Sequence, residues 1–192
     1  MTTSLDSGYF DALYTDTPDP WNLATSPYEV AKYSDTLAIL PRDHYAAAVE
    51  IGCSIGTLTT RLAPRCDRLL GIDVAEAALR QARARCAEQP QVAFACLQLP
   101  DQRPDGPFDL LMLSEVLYYF DVSALLRLAT AVRALARPGA DMLLVHWLGP
   151  TPDYPLTGDS AVAAFEAALG DAVRLLRRER RQDYRMDLFR LP

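Results

Sequence analysis

The stretch Ala47-Ala48-Val49-Glu50-Ile51-Gly52-Cys53-Ser54-Ile55-Gly56-Thr57, followed by Leu69-Leu70-Gly71-Ile72-Asp73-Val74, decides the reading of this chain. An apolar run ends around an acid, a glycine-bearing turn leads into a helical pattern, and a second short apolar run closes on Asp73. Asp73 falls about 20 positions beyond Gly52, the separation at which a carboxylate after the second strand of a βαβ unit reaches a ribose hydroxyl. Glycine at 52 and 56 lets the backbone approach a ligand with no Cβ in the way. Singly, Glu50 could cap the turn and Asp73 the next helix; together, at this spacing, they describe a nucleotide-type pocket.

The turn also says which nucleotide. A dinucleotide site wants Gly-x-Gly-x-x-Gly, because a pyrophosphate sits on bare backbone N–H groups at the helix N-terminus. Here the middle glycine is missing, and Glu50 stands two positions before the first. A carboxylate there repels a pyrophosphate but suits a ligand with an ammonium and a sulfonium charge. S-adenosylmethionine therefore fits better than NAD.

Outward from this core, apolar periodicity predicts alternating elements. A short amphipathic segment at 7–14 precedes a loop at 15–27 with three prolines, then a helix at 28–40 ending before Pro41. Strands are expected at 45–51, 68–72, 92–97, 108–113 and 140–147. Helices are expected at 57–63 (stopped by Pro64), 75–87, 121–136 (closed by Pro138-Gly139) and 160–169. An antiparallel pair at 173–179 and 184–191 ends the chain. Strands alternating with helices imply an α/β Rossmann-like fold, a mostly parallel sheet with helices on both faces. No repeat or linker interrupts 1–192, so one domain is expected.

Composition narrows the function. The chain has 192 residues, 50% hydrophobic and 23% charged, enough for one core. A net charge of −6 with a single lysine argues against nucleic acid as partner. The arginines at 174, 177, 178, 180 and 181 read as a solvated face. No apolar run approaches the ~18 residues of a membrane span, and no signal-peptide pattern opens the chain. Cys53, Cys66, Cys86 and Cys96 show no CxxC spacing and read as reduced thiols of a cytoplasmic protein, with no metal site expected.

The Glu-x-Gly-x-x-x-Gly turn with its downstream Asp resembles the class I S-adenosylmethionine-dependent methyltransferases. Phe108-Asp109-Leu110-Leu111-Met112-Leu113-Ser114-Glu115-Val116-Leu117-Tyr118-Tyr119-Phe120 resembles a segment of the NodS-like nodulation methyltransferases, and its Ser-Glu-Val-x-Tyr-Tyr part is the specific portion. Asp19-Pro20-Trp21 with Ser26-x-Tyr28-Glu29-x-x-Lys32-Tyr33 resembles the N-terminal cover of the same group. The loop Asp153-Tyr154-Pro155-Leu156-x-Gly158-Asp159 is similar to one in NodS-like domains fused to sugar-amide deacetylases.

The resemblance implies a seven-stranded sheet with an antiparallel terminal strand, residues 1–40 folded as a cover over the cofactor, and 41–192 as the core. It implies S-adenosyl-L-methionine as cofactor, S-adenosyl-L-homocysteine as product, and a small acceptor such as an amine or amino sugar. The expected cofactor residues are Glu50, Gly52, Cys53, Ser54 and Gly56 on the turn, and Asp73 and Val74 at the ribose. Leu97 and Gln98 are expected at the adenine, with Ser114 and the cover residues Trp21, Tyr28 and Lys32. Lys32 either meets the methionine carboxylate or pairs with Glu29 one turn back. His146, Glu115 and Tyr119 are the catalytic candidates, with an acidic overhang of Glu115, Asp153 and Asp159 favouring a cationic acceptor. Two rivals stay open: an NAD-dependent oxidoreductase and a non-catalytic nucleotide-binding module.

Overall fold

A computed structural model describes residues 3–192; residues 1 and 2 of the expected cover lie outside the described part. It contains a seven-stranded, mostly parallel sheet with helices, the expected class I methyltransferase pattern. The chain divides into two compact units, one of residues Asp6–Gln98 and one of Leu99–Pro192 with the described residues up to Leu5.

The Asp6–Gln98 unit opens with helix α1 (Ser7–Asp16), whose N-cap Asp6 accepts the Tyr9 N–H at 3.0 Å. Helix α2 (Pro27–Ala38) starts where Ser26 accepts from the Glu29 N–H and Pro27, which has no N–H to orphan, takes the first helical position. At its last turn and just beyond, the Arg65 guanidinium donates to the carbonyls of Leu37, Arg42 and Asp43, partners those groups would otherwise seek in water. Strands β1 (Ala48–Ile51), β2 (Leu69–Asp73) and β3 (Val92–Cys96) are parallel, with β2 in the middle. Helix α3 (Thr57–Leu62) continues past the expected stop as a 3-10 turn, Ala63–Arg65. Pro64 sits in that turn, where its missing N–H has no helical partner to lose. Helix α4 (Glu76–Arg85) returns the chain to β3. All four residues of β1 are buried, as a parallel strand covered on both faces requires.

The second unit holds β4 (Phe108–Ser114), helix α5 (Val122–Leu135), β5 (Ala136–Trp147), helix α6 (Gly158–Leu169), β6 (Arg174–Arg180) and β7 (Tyr184–Arg190), in the strand order β4-β5-β7-β6. Strand β7 is antiparallel to both its neighbours. Its helices begin at strong caps: Asp121 accepts the Ala124 N–H at 2.9 Å, and Thr157 with Ser160 forms a capping box. Strand β5 is longer than expected, because Pro138-Gly139 does not end the preceding helix but lies within the strand. The β4–β5 register jumps there, Phe108 facing Ala136 and Leu110 facing Asp141, so the Pro-Gly pair is absorbed as a bulge. The arginine-rich β6 is a paired surface. Arg178 meets Asp187 and Glu166, Arg180 meets Asp159, and Arg177 and Arg181 meet Glu179.

Candidate functional site

In the Asp6–Gln98 unit the decisive turn sits between β1 and α3. Gly52 and Gly56 have φ of 80° and 78°, and Ser54 between them has 51°. Three left-handed residues in five fold the chain back sharply, a course that glycine follows without strain and serine tolerates only at a cost. The turn is tied down from outside by Arg85, which donates to the Ile55 carbonyl at 2.9 Å. Asp73, at the end of β2, accepts the Ser54 N–H on Oδ2 at 2.8 Å and the Ala75 N–H on Oδ1 at 3.0 Å. Both carboxylate oxygens thus have a fixed direction. Burial pushes the Asp73 carboxyl above its ordinary range, with those backbone donors pulling the other way.

Glu50 is buried within β1, and its Oε2 accepts the Thr59 hydroxyl at 2.6 Å. Burial raises its pKa to about 8, and nearby Asp73 adds to the rise. Cys53 is buried, and burial with the charges of Asp73 and Glu50 pushes its thiol upward. It is a packed thiol held against ionisation. Val74 is half-buried beside Asp73; Leu97, half-buried, donates its N–H to the Asp73 carbonyl at 3.1 Å, and Gln98 after it is exposed.

The N-terminal segment of this unit reaches the turn through Tyr14, which sequence reasoning missed. Its hydroxyl lies 2.5 Å from Ser54 Oγ, and its ring meets Trp21 edge-on at 5.7 Å. The signal available was the aromatic on the short amphipathic segment, one loop ahead of Trp21. The proline-rich loop is shaped by Asp19, whose carboxylate accepts the N–H groups of Leu23 and Ala24, and is fastened to α4 where Gln81 donates to the Pro18 carbonyl at 2.8 Å. Lys32 is buried, its Nζ 2.9 Å from Glu29 Oε1 and 5.2 Å from the centre of the Tyr28 ring. Its pairing with Glu29 is therefore an interior ion pair, not a surface one.

In the Leu99–Pro192 unit the Ser-Glu-Val-x-Tyr-Tyr segment leaves β4 through a strained residue. Ser114 ends the strand half-buried, and Glu115 has φ of 56° although it carries a long side chain. The Glu115 N–H still donates to the Val145 carbonyl at 2.8 Å. Its Oε2 accepts both the Trp147 N–H and the Tyr118 hydroxyl, each at 2.8 Å. One carboxylate oxygen thus joins the end of β5 to the 3-10 turn Leu117–Tyr119. An outlier held this firmly is a functional candidate in its own right.

His146 is completely buried on β5, and its Nε2 accepts the Leu117 N–H at 3.1 Å. A ring nitrogen accepting from the backbone carries no proton of its own, so here the imidazole anchors the start of the 3-10 turn. Tyr119 is half-buried and edge-on to Tyr118 at 4.7 Å. Tyr154, from the loop after β5, stacks on Tyr118 at 5.5 Å and 12° and meets Tyr119 at 4.8 Å and 70°. The acidic overhang is smaller than expected. Asp159 pairs with Arg180 and Arg185, whose hydrogen bonds hold its carboxyl below the usual range. Ser4 donates to Asp121, and the Leu5 N–H donates to the Tyr119 carbonyl at 2.9 Å, so residues 4 and 5 are pinned within this unit. Among the described residues no helix is long and apolar enough to cross a membrane, and no three His, Cys, Asp or Glu gather as a metal site.

The fold is that of the class I methyltransferases. The crystal structure of the N-methyltransferase NodS from Bradyrhizobium japonicum WM9, in complex with S-adenosyl-L-homocysteine, matches with a TM-score of 0.83 at 21% identity, over 98% of this chain and 100% of that one. A putative methyltransferase from Pseudomonas syringae matches with a TM-score of 0.73 at 36% identity, over 85% of this chain and 98% of that one. The family model for nodulation protein S (NodS) matches residues 12–144, and the chain belongs to that family. Nodulation protein S of Bradyrhizobium diazoefficiens is 37% identical over 102 residues, 53% of this chain and 49% of that protein. The chain spans about half the length of the curated relatives it matches.

Proposed function

We propose that this chain is an S-adenosylmethionine-dependent methyltransferase acting on the nitrogen of a small amine, residues 1–192 working as one methyltransferase domain with 1–40 as cofactor cover and 41–192 as core. The observation that carries the reading is Asp73, its two oxygens aimed by the Ser54 and Ala75 N–H groups, beside a left-handed turn that follows a buried Glu50. A carboxylate held in this way has lone pairs left for two ribose hydroxyls. Glu50 suits a cationic ligand, because an ammonium nearby would favour its charged form against the cost of burial. These residues fit S-adenosylmethionine and fit a pyrophosphate poorly, which disfavours the NAD reading. The solved NodS, whose complex contains S-adenosyl-L-homocysteine, and the family match support the same cofactor.

When bound, S-adenosylmethionine supplies a methyl group on a sulfonium, and the acceptor's lone pair takes it in line while the thioether leaves. This chemistry asks the protein chiefly for alignment, with no acyl-type nucleophile and no metal. In this reading Gly52, Cys53, Ser54 and Gly56 receive the amino-acid part of the cofactor, Asp73 and Val74 the ribose, and Leu97 and Gln98 the adenine. In the same reading Ser114 is a further cofactor residue, and Trp21, Tyr28 and Lys32 belong to the cover. Glu115 holds the acceptor's ammonium as a charge partner, and Tyr119 offers a ring to the same cation. His146 serves as a positioning residue for the turn that carries Tyr118 and Tyr119. The amine's proton leaves to water, so kcat/KM rises with pH as the acceptor becomes neutral. The four free cysteines, three of them buried, support a reducing, cytoplasmic setting.

Calorimetric titration of the protein with S-adenosylmethionine, S-adenosyl-L-homocysteine and NAD tests the cofactor. Tight binding of the first two and none of NAD is expected; the reverse makes it an oxidoreductase. Binding without methyl transfer to any amine, amino sugar or hydroxyl compound makes it a non-catalytic module.

A further inference from the structure

Ser54 stands at the centre of the turn from Gly52 to Gly56, and it is the residue there whose side chain carries a cost. Its φ of 51° lies in the left-handed region, which glycine enters freely and a residue with a Cβ does not. Gly52 and Gly56 meet the same demand as glycines. What serine adds over glycine at this position is a hydroxyl, and its Oγ lies 2.5 Å from the Tyr14 hydroxyl. The Ser54 N–H meanwhile donates to Asp73 Oδ2 at 2.8 Å. One strained residue thus joins a tyrosine of α1 to the carboxylate at the end of β2.

Tyr14 is built to hold. It is buried, and Phe10, one turn earlier, is the other buried residue of α1. Its ring meets Trp21 edge-on at 5.7 Å, and the loop that carries Trp21 is shaped by Asp19 and fastened to α4 through Gln81. Burial, with the charge of Asp73 adding to it, pushes the Tyr14 phenol well above its ordinary value. A phenol kept neutral in this way shares a hydrogen with Ser54 and is no base for a reacting group.

We propose that Tyr14 is a positioning residue for the cofactor: its hydroxyl holds Ser54 in the left-handed conformation from which the Ser54 N–H aims Asp73 at the ribose. The proposal rests on the methyltransferase reading and deepens it, because α1 then controls the direction of a carboxylate on β2. The strain at Ser54 and the bond to Tyr14 are two halves of one device. Glycine at position 54 would adopt the same conformation without help, and the Tyr14 hydroxyl would become dispensable.

The test uses Tyr14→Phe, Ser54→Ala, Ser54→Gly and the double variant Tyr14→Phe with Ser54→Gly, each in the whole chain. Tyr14→Phe keeps the ring on Trp21 and removes only the oxygen; Ser54→Ala keeps the strain and removes the tie. Exchange of the residue 54 amide proton is followed by NMR in the cofactor-free protein, and S-adenosyl-L-homocysteine affinity is measured by calorimetry. In Tyr14→Phe the Ser54 amide should exchange at least threefold faster and the ligand should bind at least threefold more weakly. Ser54→Ala should show losses of the same size. Adding Tyr14→Phe to Ser54→Gly should change the affinity of Ser54→Gly less than twofold, a coupling that lost packing or a loosened fold would not produce. The proposal is overturned if Tyr14→Phe changes either measurement less than threefold, if Ser54→Ala matches the wild type, or if the Tyr14→Phe loss persists in full beside Ser54→Gly. Normal cofactor binding with an unmoved Ser54 amide in Tyr14→Phe removes the role of Tyr14 and leaves the methyltransferase reading intact. A wild type that binds no S-adenosyl-L-homocysteine removes that reading, and the cofactor role of Tyr14 with it.

Discussion

Two acids in each unit are treated in opposite ways. In Asp6–Gln98, Glu50 and Asp73 are held in surroundings that raise their carboxyls, Glu50 to about 8. In Leu99–Pro192, Asp121 is held far below its usual range by the α5 cap and Ser123, and Asp159 is held below its usual range by arginines. Hydrogen bonds and arginines outweigh burial at Asp121 and Asp159, whereas burial outweighs the hydrogen bonds that Glu50 and Asp73 receive; in the proposed reading a cationic cofactor would tip that balance back toward the charged form.

The largest expected effect tests that tension directly. The folded state raises the Glu50 pKa from an ordinary 4.5 to about 8, so it favours the protonated form. Its stabilisation is full below pH 4.5 and disappears as pH rises through 8. Relative to Glu50→Gln, the cofactor-free wild type should therefore lose up to about 5 kcal/mol over that window. Denaturant unfolding of both proteins at pH 4.5 to 8.5 measures it, and a constant difference would break the contrast between the units.

Lys32→Ala should be nearly as costly. It leaves Glu29 buried without its cation, a loss of about 3–5 kcal/mol, whereas Lys32→Met with Glu29→Gln should recover most of it. Unchanged unfolding in Lys32→Ala would show that the lysine serves the cofactor alone.

Asp73→Ala should weaken S-adenosyl-L-homocysteine binding at least tenfold, since hydrogen bonds to a charged acceptor contribute about 1.5–3 kcal/mol each. Calorimetry on the folded variant decides, and full affinity would remove the pocket assignment. The smallest effect belongs to the second unit. Glu115→Gln should raise the acceptor KM about threefold to tenfold while cofactor affinity stays within about twofold, because the amide keeps the Trp147 and Tyr118 bonds and loses only the charge. A fall in cofactor affinity of the same size would erase the division of labour.

Most of the framework was legible from local chemistry. The alternation of short apolar runs with amphipathic segments placed every strand and helix within a few residues, and Ser26, Asp121 and Thr157 mark helix starts that the structure caps as residue type predicts. Misreadings fell where tertiary pairing overrode a local breaker: Pro64 continues a turn, and Pro138-Gly139 sits in a bulge that β4 makes possible. Strand β1 is shorter than its apolar run because Tyr45 makes only a single bridge, to Cys66.

What the sequence alone determined is where the proposed cofactor residues stand along the chain. Glu50, the left-handed glycine turn and Asp73 follow from strand periodicity, turn chemistry and a spacing that one βαβ unit imposes, all interactions short along the chain. Tertiary structure decided the partners: Glu29 for Lys32 inside the protein, Arg180 and Arg185 for Asp159, Ser54 for Tyr14, and Tyr154 against Tyr118 and Tyr119. Except for Lys32, these partners lie tens of residues from one another. Side chains so far apart meet only after the sheet has set the geometry, and no local pattern encodes which of several acids or rings will be within reach.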